Sequence, residues 1–278
     1  MRTKLKGPRS QGIPAATETS EASHRSAVVT GASSGIGREL ALLIAERGFD
    51  LVLVARDRER LNSLARAVKE HHGRQSVILP IDLTTQTGAQ RVFEQCSRRS
   101  IVPEIVVNNA GYGLFGAFAD LGTDEQLEMI QLNITTLTHL TRLFLPEMIQ
   151  RHHGFILNVA STAAFQPGPL MAGYYASKSY VVSLTIALAQ ELKGSGVSVS
   201  VLCPGPTRTE FHARAGMKHT RIGAMAFMSA HEVAKAGIAQ MLRHKTVIIP
   251  GFLNKVAAIG VRFLPMALAA RLVERVHQ

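Results

Sequence analysis

Ser26-Ala27-Val28-Val29-Thr30-Gly31-Ala32-Ser33-Ser34-Gly35-Ile36-Gly37 is the stretch from which the architecture of this 278-residue chain is read. Residues 27–30 form a short apolar run, the composition of a buried strand. A glycine-rich turn follows, and residues 36–47 carry apolar positions at helical spacing. The same strand-then-helix unit recurs along the chain. Residues 50–55, 76–81, 104–107, 154–160, 197–202 and 246–249 read as strands, and 58–71, 86–97, 123–151 and 174–193 read as helices. Strands that are apolar throughout and separated by helices predict an α/β chain whose parallel sheet is covered on both faces.

The turn itself carries chemistry. Glycines after a first strand permit a tight turn and let the backbone approach a pyrophosphate, whose charge sits at the N-terminus of the next helix. The spacing here is G-x-x-x-G-x-G, not the dinucleotide fingerprint G-x-G-x-x-G. The same letters, Gly31-Ala32-Ser33-Ser34-Gly35, also match the G-x-S-x-G elbow of serine hydrolases. Position argues against that rival, because an elbow serine needs several strands already laid beside it and only one strand precedes Ser33. In a dinucleotide site the second strand ends on an acid that accepts ribose hydroxyls, or on a basic residue that suits a 2′-phosphate. Here it ends Leu53-Val54-Ala55-Arg56. Ala55 leaves room and Arg56 can form charge-assisted bonds to phosphate, so NADP(H) is expected in preference to NAD(H). Two alternatives stay open: Arg56 as a solvated residue opening the charged turn Asp57-Arg58-Glu59-Arg60, and Asp57, only one position away.

A second constellation is Tyr174-Tyr175-Ala176-Ser177-Lys178, which sets a phenol and an ammonium four positions apart at the start of a helical run. A tyrosine hydroxyl ordinarily titrates near ~10, and a cation within about 4–6 Å favours its phenolate. Bringing it near 7 takes about three units, or roughly 4 kcal/mol, within reach of a partly buried lysine beside a positively charged cofactor. The pair is then expected to work as an acid/base catalyst. Only Tyr174, not Tyr175, has the four-residue spacing to Lys178.

These residues fall into a larger ordered set: Thr30-Gly31-x-x-x-Gly35-x-Gly37, Asp82-Leu83, Asn108-Asn109-Ala110-Gly111, Ser161 thirteen positions before Tyr174, Lys178, and Pro204-Gly205. In that order they resemble the short-chain dehydrogenase/reductases, over about residues 26–251. The resemblance implies a single-domain Rossmann-type fold, doubly wound around a parallel sheet of about seven strands. It implies a catalytic set of Tyr174, Lys178, Ser161 and Asn133. Tyr174 passes a proton to or from the substrate oxygen; Lys178 lowers its pKa and bonds the nicotinamide ribose. Ser161 donates to the developing oxyanion, and Asn133 anchors a water linking Lys178 to solvent. The dinucleotide is expected to lie along Gly31, Ser33, Ser34, Gly35, Ile36 and Gly37, with Arg56 beside it. Asp82 and Leu83 are expected near adenine, and Asn109, Ala110 and Gly111 along the cleft. Tyr174 and Lys178 meet its nicotinamide half, as do Pro204, Gly205, Thr207 and Thr209, the last two at the carboxamide. The helix over 174–193 is a candidate subunit contact of a homo-oligomer through Val181, Thr185, Leu188 and Leu192.

Composition sets the bounds. A 46% hydrophobic content suits a globular chain with a substantial core. The formal charge of +11 is concentrated at the ends: residues 1–25 carry +3, residues 231–278 carry +5, and the 205 residues between only +3. With no Trp and no interleaving of basic and aromatic residues, a nucleic-acid groove is not expected. Cys96 and Cys203 lie far apart without ligand spacing, which points to a reducing, cytoplasmic compartment and to no metal site. His71-His72-Gly73 and His152-His153-Gly154 read as helix ends rather than metal ligands. Residues 1–25 lack the apolar centre of a secretory signal and read as a disordered basic tail.

Loops beyond the catalytic strands carry Tyr112, Leu114, Phe115, Phe165, Leu170 and Met171, then Phe211, Met217, Met225, Phe227 and Met228. Such walls suit a lipophilic ketone, aldehyde or secondary alcohol. Residues 252–278 read as an amphipathic helical extension, too interrupted to span a bilayer. It could lie on an anionic membrane surface as a peripheral contact, or cover the pocket or a partner subunit; packing against protein is the preferred reading. The resulting expectation is an NADP(H)-dependent oxidoreductase. The alternative from another class is a catalytically silent dinucleotide sensor or scaffold, which should have lost part of Asn133, Ser161, Tyr174 and Lys178.

Overall fold

The computed structural model describes residues 25–211, 215–216 and 228–277. In chain order its elements are β1 (Ser26–Thr30), α1 (Gly35–Glu46), β2 (Asp50–Ala55), α2 (Arg58–His72), β3 (Ser76–Pro80), α3 (Gly88–Ser97) and β4 (Ile105–Asn108). Next come α4 (Thr123–Ile130), a π-helical turn (Gln131–Thr136), α5 (Leu137–Gln150), β5 (Gly154–Val159), a 3₁₀ turn (Thr162–Phe165) and α6 (Ala172–Glu191). The chain continues through β6 (Val197–Leu202), β7 (Thr207–Arg208), β8 (Met228–Ser229), α7 (Ala230–Met241) and β9 (Val247–Ile248). It closes with α8 (Phe252–Gly260), a 3₁₀ turn (Val261–Phe263) and α9 (Met266–His277).

Seven strands form one parallel sheet in the order β3-β2-β1-β4-β5-β6-β9. The alternation of side chains along each strand feeds two cores. Ala27 and Val29 of β1, with Leu51 and Leu53 of β2, pack under α1, α2 and α7. Val28, Val52, Val54 and Val106 turn the other way, against Val92 of α3 and Leu140, Phe144 and Met148 of α5. Both faces are thus covered, which is why most strands carry no polar alternation; β6 alternates Ser198 and Ser200 with valines, yet both serines are buried. Successive strands run outward from β1 in opposite directions, through β2 to β3 on one side and through β4 to β5 on the other. The reversal leaves a crevice above the carboxyl ends of β1 and β4.

Local chemistry fixes several helix starts. The Asp57 carboxylate caps α2 by accepting from the Arg60 N–H at 3.0 Å. Ser229 and Glu232 cap α7 reciprocally, each side chain taking the other's backbone N–H. α2 stops where Gly73 turns left-handed at φ 65°.

Two expectations are corrected. The single helix foreseen over residues 123–151 is interrupted by the π-helical turn at Gln131–Thr136, a feature periodicity does not announce because flanking apolar positions keep nearly the same spacing. The stripe on α6 offered as a subunit contact points inward: Val181 and Thr185 are fully buried and Leu192 nearly so, packed within the same chain. The sequence expectations for residues 1–24, Met217, Met225 and Phe227 fall outside the described residues.

Candidate active site

One cavity of about 860 Å³ opens at the carboxyl ends of the strands. At one end lies the turn between β1 and α1. Gly31 stands at φ 64°, where a Cβ would come 2.7 Å from the Asn109 side-chain nitrogen. That amide nitrogen donates to the Thr30 carbonyl at 2.9 Å and to the Gly31 carbonyl at 3.2 Å, while the Thr30 hydroxyl accepts from the backbone of Asn109 and Ala110. Asn109 therefore holds the turn as well as lining the cleft. α1 begins at Gly35 and presents its free N–H groups to the cavity, a ready anion site. Thr209 lies against Gly35 from the other side.

At the same end, Ala55 and Arg56 line the wall. Arg56 has no ion pair or hydrogen bond among the described residues. Asp57, its acidic neighbour, is engaged in capping α2 and lies 3.3 Å from the Arg60 guanidinium. Asp82 and Leu83 follow along the wall. The Asp82 carboxylate closes a local turn by accepting from the Thr84 N–H and hydroxyl at 2.9 and 2.8 Å, and the Thr136 hydroxyl donates to the Leu83 carbonyl at 2.7 Å.

The other end is built by α6 and the residues after β5. Tyr174 and Lys178, one helical turn apart, are both buried. The Lys178 ammonium donates to the Val159 carbonyl at 2.9 Å and lies 5.7 Å from the centroid of the Tyr174 ring. Ser161 caps the 3₁₀ turn by accepting from the Ala163 N–H at 3.1 Å. Its hydroxyl donates to the Pro204 carbonyl at 3.4 Å, and it is near enough to the Tyr174 phenol to favour the phenolate. Pro204, Gly205, Thr207 and Thr209 complete this wall.

The electrostatics run opposite to one sequence expectation. Burial raises the Tyr174 pKa well above its ordinary value, and the Ser161 hydroxyl opposes this only in part. Burial also lowers Lys178 to about 8. Desolvation is the largest cause of both shifts, so the protein alone keeps the phenol protonated instead of drawing it toward neutrality.

Asn133 and Gly37 are the two predicted site residues that do not reach the cavity surface. Gly37 packs behind the turn against Gly31 and Asn109. Asn133 sits in the π-helical turn, a distortion often found at functional positions. Its amide nitrogen donates to the Tyr112 carbonyl and the Ser177 hydroxyl at 2.9 and 3.0 Å, and its oxygen accepts from the Tyr112 N–H at 3.2 Å. Gly111 separates it from Lys178: a Cβ there would lie 2.8 Å from the Asn133 oxygen and 3.4 Å from the lysine nitrogen.

The apolar wall is a mixture of expected and unforeseen residues. Tyr112, Met171 and Phe211 line the cavity, and Leu114 and Phe115 pack behind them. Phe165 and Met228 turn instead into the core clusters on either side of the sheet. Leu170, at φ 65°, occupies the turn before α6 without lining the cavity. Periodicity did not single out Leu272, Val273, Val276 and His277 of α9, all of which face the cavity. His277 is buried. Its Nδ1 lies 2.7 Å from the Pro169 carbonyl, and its Nε2 3.2 Å from the Tyr175 hydroxyl. A carbonyl can only accept, so Nδ1 carries the proton and Nε2 accepts from Tyr175. The only signal in the sequence was the helical spacing of Ala269, Val273 and Val276.

Comparison with known proteins matches residues 25–219 to the short chain dehydrogenase family model. The chain is 30% identical over 225 residues to the ketoacyl reductase HetN of Nostoc sp., covering 80% of this chain and 76% of that one. A short-chain dehydrogenase from Sphingobium yanoikuyae, solved in complex with NADPH, superposes with a TM-score of 0.77 at 33% identity, covering 88% of this chain and 98% of its own. The bulky-bulky ketone specific alcohol dehydrogenase from Comamonas testosteroni gives a TM-score of 0.72 at 29% identity, covering 89% and 98%.

Proposed function

The chain belongs to the short-chain dehydrogenase/reductase family, oxidoreductases acting at CH–OH and carbonyl groups, and from that premise we propose that it interconverts a lipophilic ketone or aldehyde and its alcohol with NADP(H). The observation that carries this reading is the meeting of Ser161, Tyr174 and Lys178 at one end of a cavity whose other end offers a left-handed glycine turn, a helix N-terminus and Arg56, which has no ion pair among the described residues.

The residues fit a dinucleotide. Gly31 and Gly35 keep side chains away from the path of a pyrophosphate, and the N–H groups of α1 face it. Arg56 is available to a 2′-phosphate, while Asp57 is held at the cap of α2 and so does not repel one. The NADPH bound by the Sphingobium yanoikuyae relative supports the same preference. When bound, the nicotinamide supplies or accepts the hydride.

This chain's own part is the proton. In ketone reduction the substrate oxygen receives the proton of Tyr174 while Ser161 donates a hydrogen bond to it. In the protein alone burial keeps the phenol protonated at neutral pH, so the proton is in place before the substrate oxygen needs it. Lys178, held by the Val159 carbonyl 5.7 Å from the centre of the Tyr174 ring, supplies positive charge that stabilises the phenolate left behind. Asn133 keeps one acceptor position of its oxygen beside Gly111, where a water would link Lys178 to solvent. Retention of all four residues runs against a catalytically silent sensor. The apolar wall of Tyr112, Met171, Phe211 and α9 supports a lipophilic substrate, as does the bulky-ketone preference in the name of the Comamonas testosteroni relative. Assembly as a homo-oligomer, and residence in the cytoplasm, are further parts of this proposal; no helix among the described residues is long and apolar enough to cross a membrane.

The test is NADPH oxidation across a panel of carbonyl compounds. Bulky apolar ketones and aldehydes are expected to turn over best, with NADPH preferred to NADH. A preference for small charged sugars would overturn the substrate reading, and a clear NADH preference the cofactor reading.

A further inference from the structure

The C-terminal helices have two unlike faces. Toward the protein, Asn254, Ala258 and Val261 of the α8 segment and Val273 and His277 of α9 line the cavity. On the opposite side of α8, at the helical spacing i, i+4, i+7, Phe252 is 80% exposed, Val256 51% and Ile259 46%, and Phe263 in the following turn is 83% exposed. Leu253 and Met266 add 78% and 67%. Exposed phenylalanines of this degree cannot contribute to folding the chain they belong to. Single exposed apolar residues need no explanation, but a row of them along one helix face marks a surface made to be covered.

Charge says what covers it. Residues 252–277 carry Lys255, Arg262, Arg271 and Arg275 against one acid, Glu274. Lys255 and Arg262 flank the apolar face about a quarter-turn round α8, so their heads can reach outward while their stems lie along it. On α9, Leu268, Arg271 and Arg275, which do not line the cavity, are all exposed. Phenylalanine and aliphatic side chains bordered by basic ones on a short helix form the pattern of an element that lies in the lipid interface. A two-fold contact with a second copy would set the same cationic rows against each other, which is unfavourable.

We propose that the outer face of α8 and the following 3₁₀ turn, with the basic outer face of α9, dock peripherally on an anionic bilayer, Phe252 and Phe263 entering the acyl boundary. The inner faces of the same two helices form the cavity wall, so docking holds that wall at the lipid surface. The surface is read from exposure and charge alone, and does not depend on the substrate or the cofactor proposed above.

The experiment is flotation of the full-length protein with vesicles of phosphatidylcholine, and of phosphatidylcholine containing phosphatidylserine, at low and high salt. Wild type is expected to float with the anionic vesicles, and less so at high salt. Phe252→Ser and Phe263→Ser should each reduce the bound fraction about tenfold, and Lys255→Glu with Arg262→Glu should abolish the preference for anionic lipid. All variants should keep the wild-type melting temperature, because these side chains are exposed. Failure of wild type to float with anionic vesicles overturns the proposal. So does sedimentation showing that the phenylalanine variants dissociate an oligomer while leaving vesicle binding unchanged, which would assign the face to a second copy.

Discussion

The two ends of the cavity are made by different means. The glycine-turn end uses backbone: the left-handed Gly31, the N–H groups opening α1, and the Thr30 and Asn109 bonds that hold the turn. Its parts are close in sequence or joined by the adjacent strands β1 and β4. The reacting end uses side chains: Ser161, Tyr174 and Lys178 come from one short stretch of chain, but the wall beside them is brought from far apart, as when the Tyr175 hydroxyl meets His277 across 102 positions. Backbone recognition leaves a legible spacing of glycines, whereas a wall of side chains leaves only composition. The first end is correspondingly generic, and the second is where this chain can differ from its relatives.

Substitutions can separate the two ends. The largest effect short of the proton donor itself belongs at the reacting end. Ser161→Ala should lower kcat about 10²–10³-fold, with dinucleotide binding, followed by NADPH fluorescence, unchanged. Equal losses in kcat and in NADPH affinity would mean that Ser161 serves the fold of the loop after β5 instead of the reaction.

At the opposite end Arg56→Ser should raise the KM for NADPH about tenfold and leave that for NADH nearly alone, the size expected for one charge-assisted bond. A parallel change for both cofactors would remove Arg56 from the 2′-phosphate site.

The smallest effect is at His277. Its replacement by Ala removes bonds to Pro169 and Tyr175, and should cost about 1–2 kcal/mol of stability while shifting the KM of bulky carbonyl substrates and not that of NADPH. Burial lowers the His277 pKa, so the folded protein resists protonating a group that the unfolded chain protonates near ~6.5. The contribution of His277 is therefore complete above that value and is lost as pH falls through it toward the lower folded pKa. Wild type should lose more melting temperature than His277→Ala between about pH 7.5 and 5.5. Equal losses would show that the imidazole is not the group responsible.

The same contrast explains what was legible in the sequence. All seven strands of the main sheet could be read from short runs dominated by β-branched and aliphatic residues, and helices from their regular spacing, although the run over 123–151 is divided by the π-helical turn. The π-helical turn at Asn133 was not legible, since one extra residue in a turn scarcely disturbs apolar spacing. The inward direction of Val181 and Thr185 was missed because an apolar stripe does not say whether it meets its own chain or another. Phe165 and Met228 were read as cavity wall and lie in the core, a distinction composition cannot make. The burial that raises the Tyr174 pKa in the protein alone was not legible either: the lysine was visible at four residues' distance, but desolvation belongs to the assembled fold.

The central claim is that one phenol, that of Tyr174, carries the proton. It is tested most directly by measuring single-turnover NADPH oxidation by Tyr174→Phe and Tyr175→Phe beside wild type. Tyr174→Phe should bind NADPH normally and lose turnover by about 10²–10⁴-fold, while Tyr175→Phe, which gives up only the His277 hydroxyl contact, should keep most of it. Near-normal turnover in Tyr174→Phe would contradict the account.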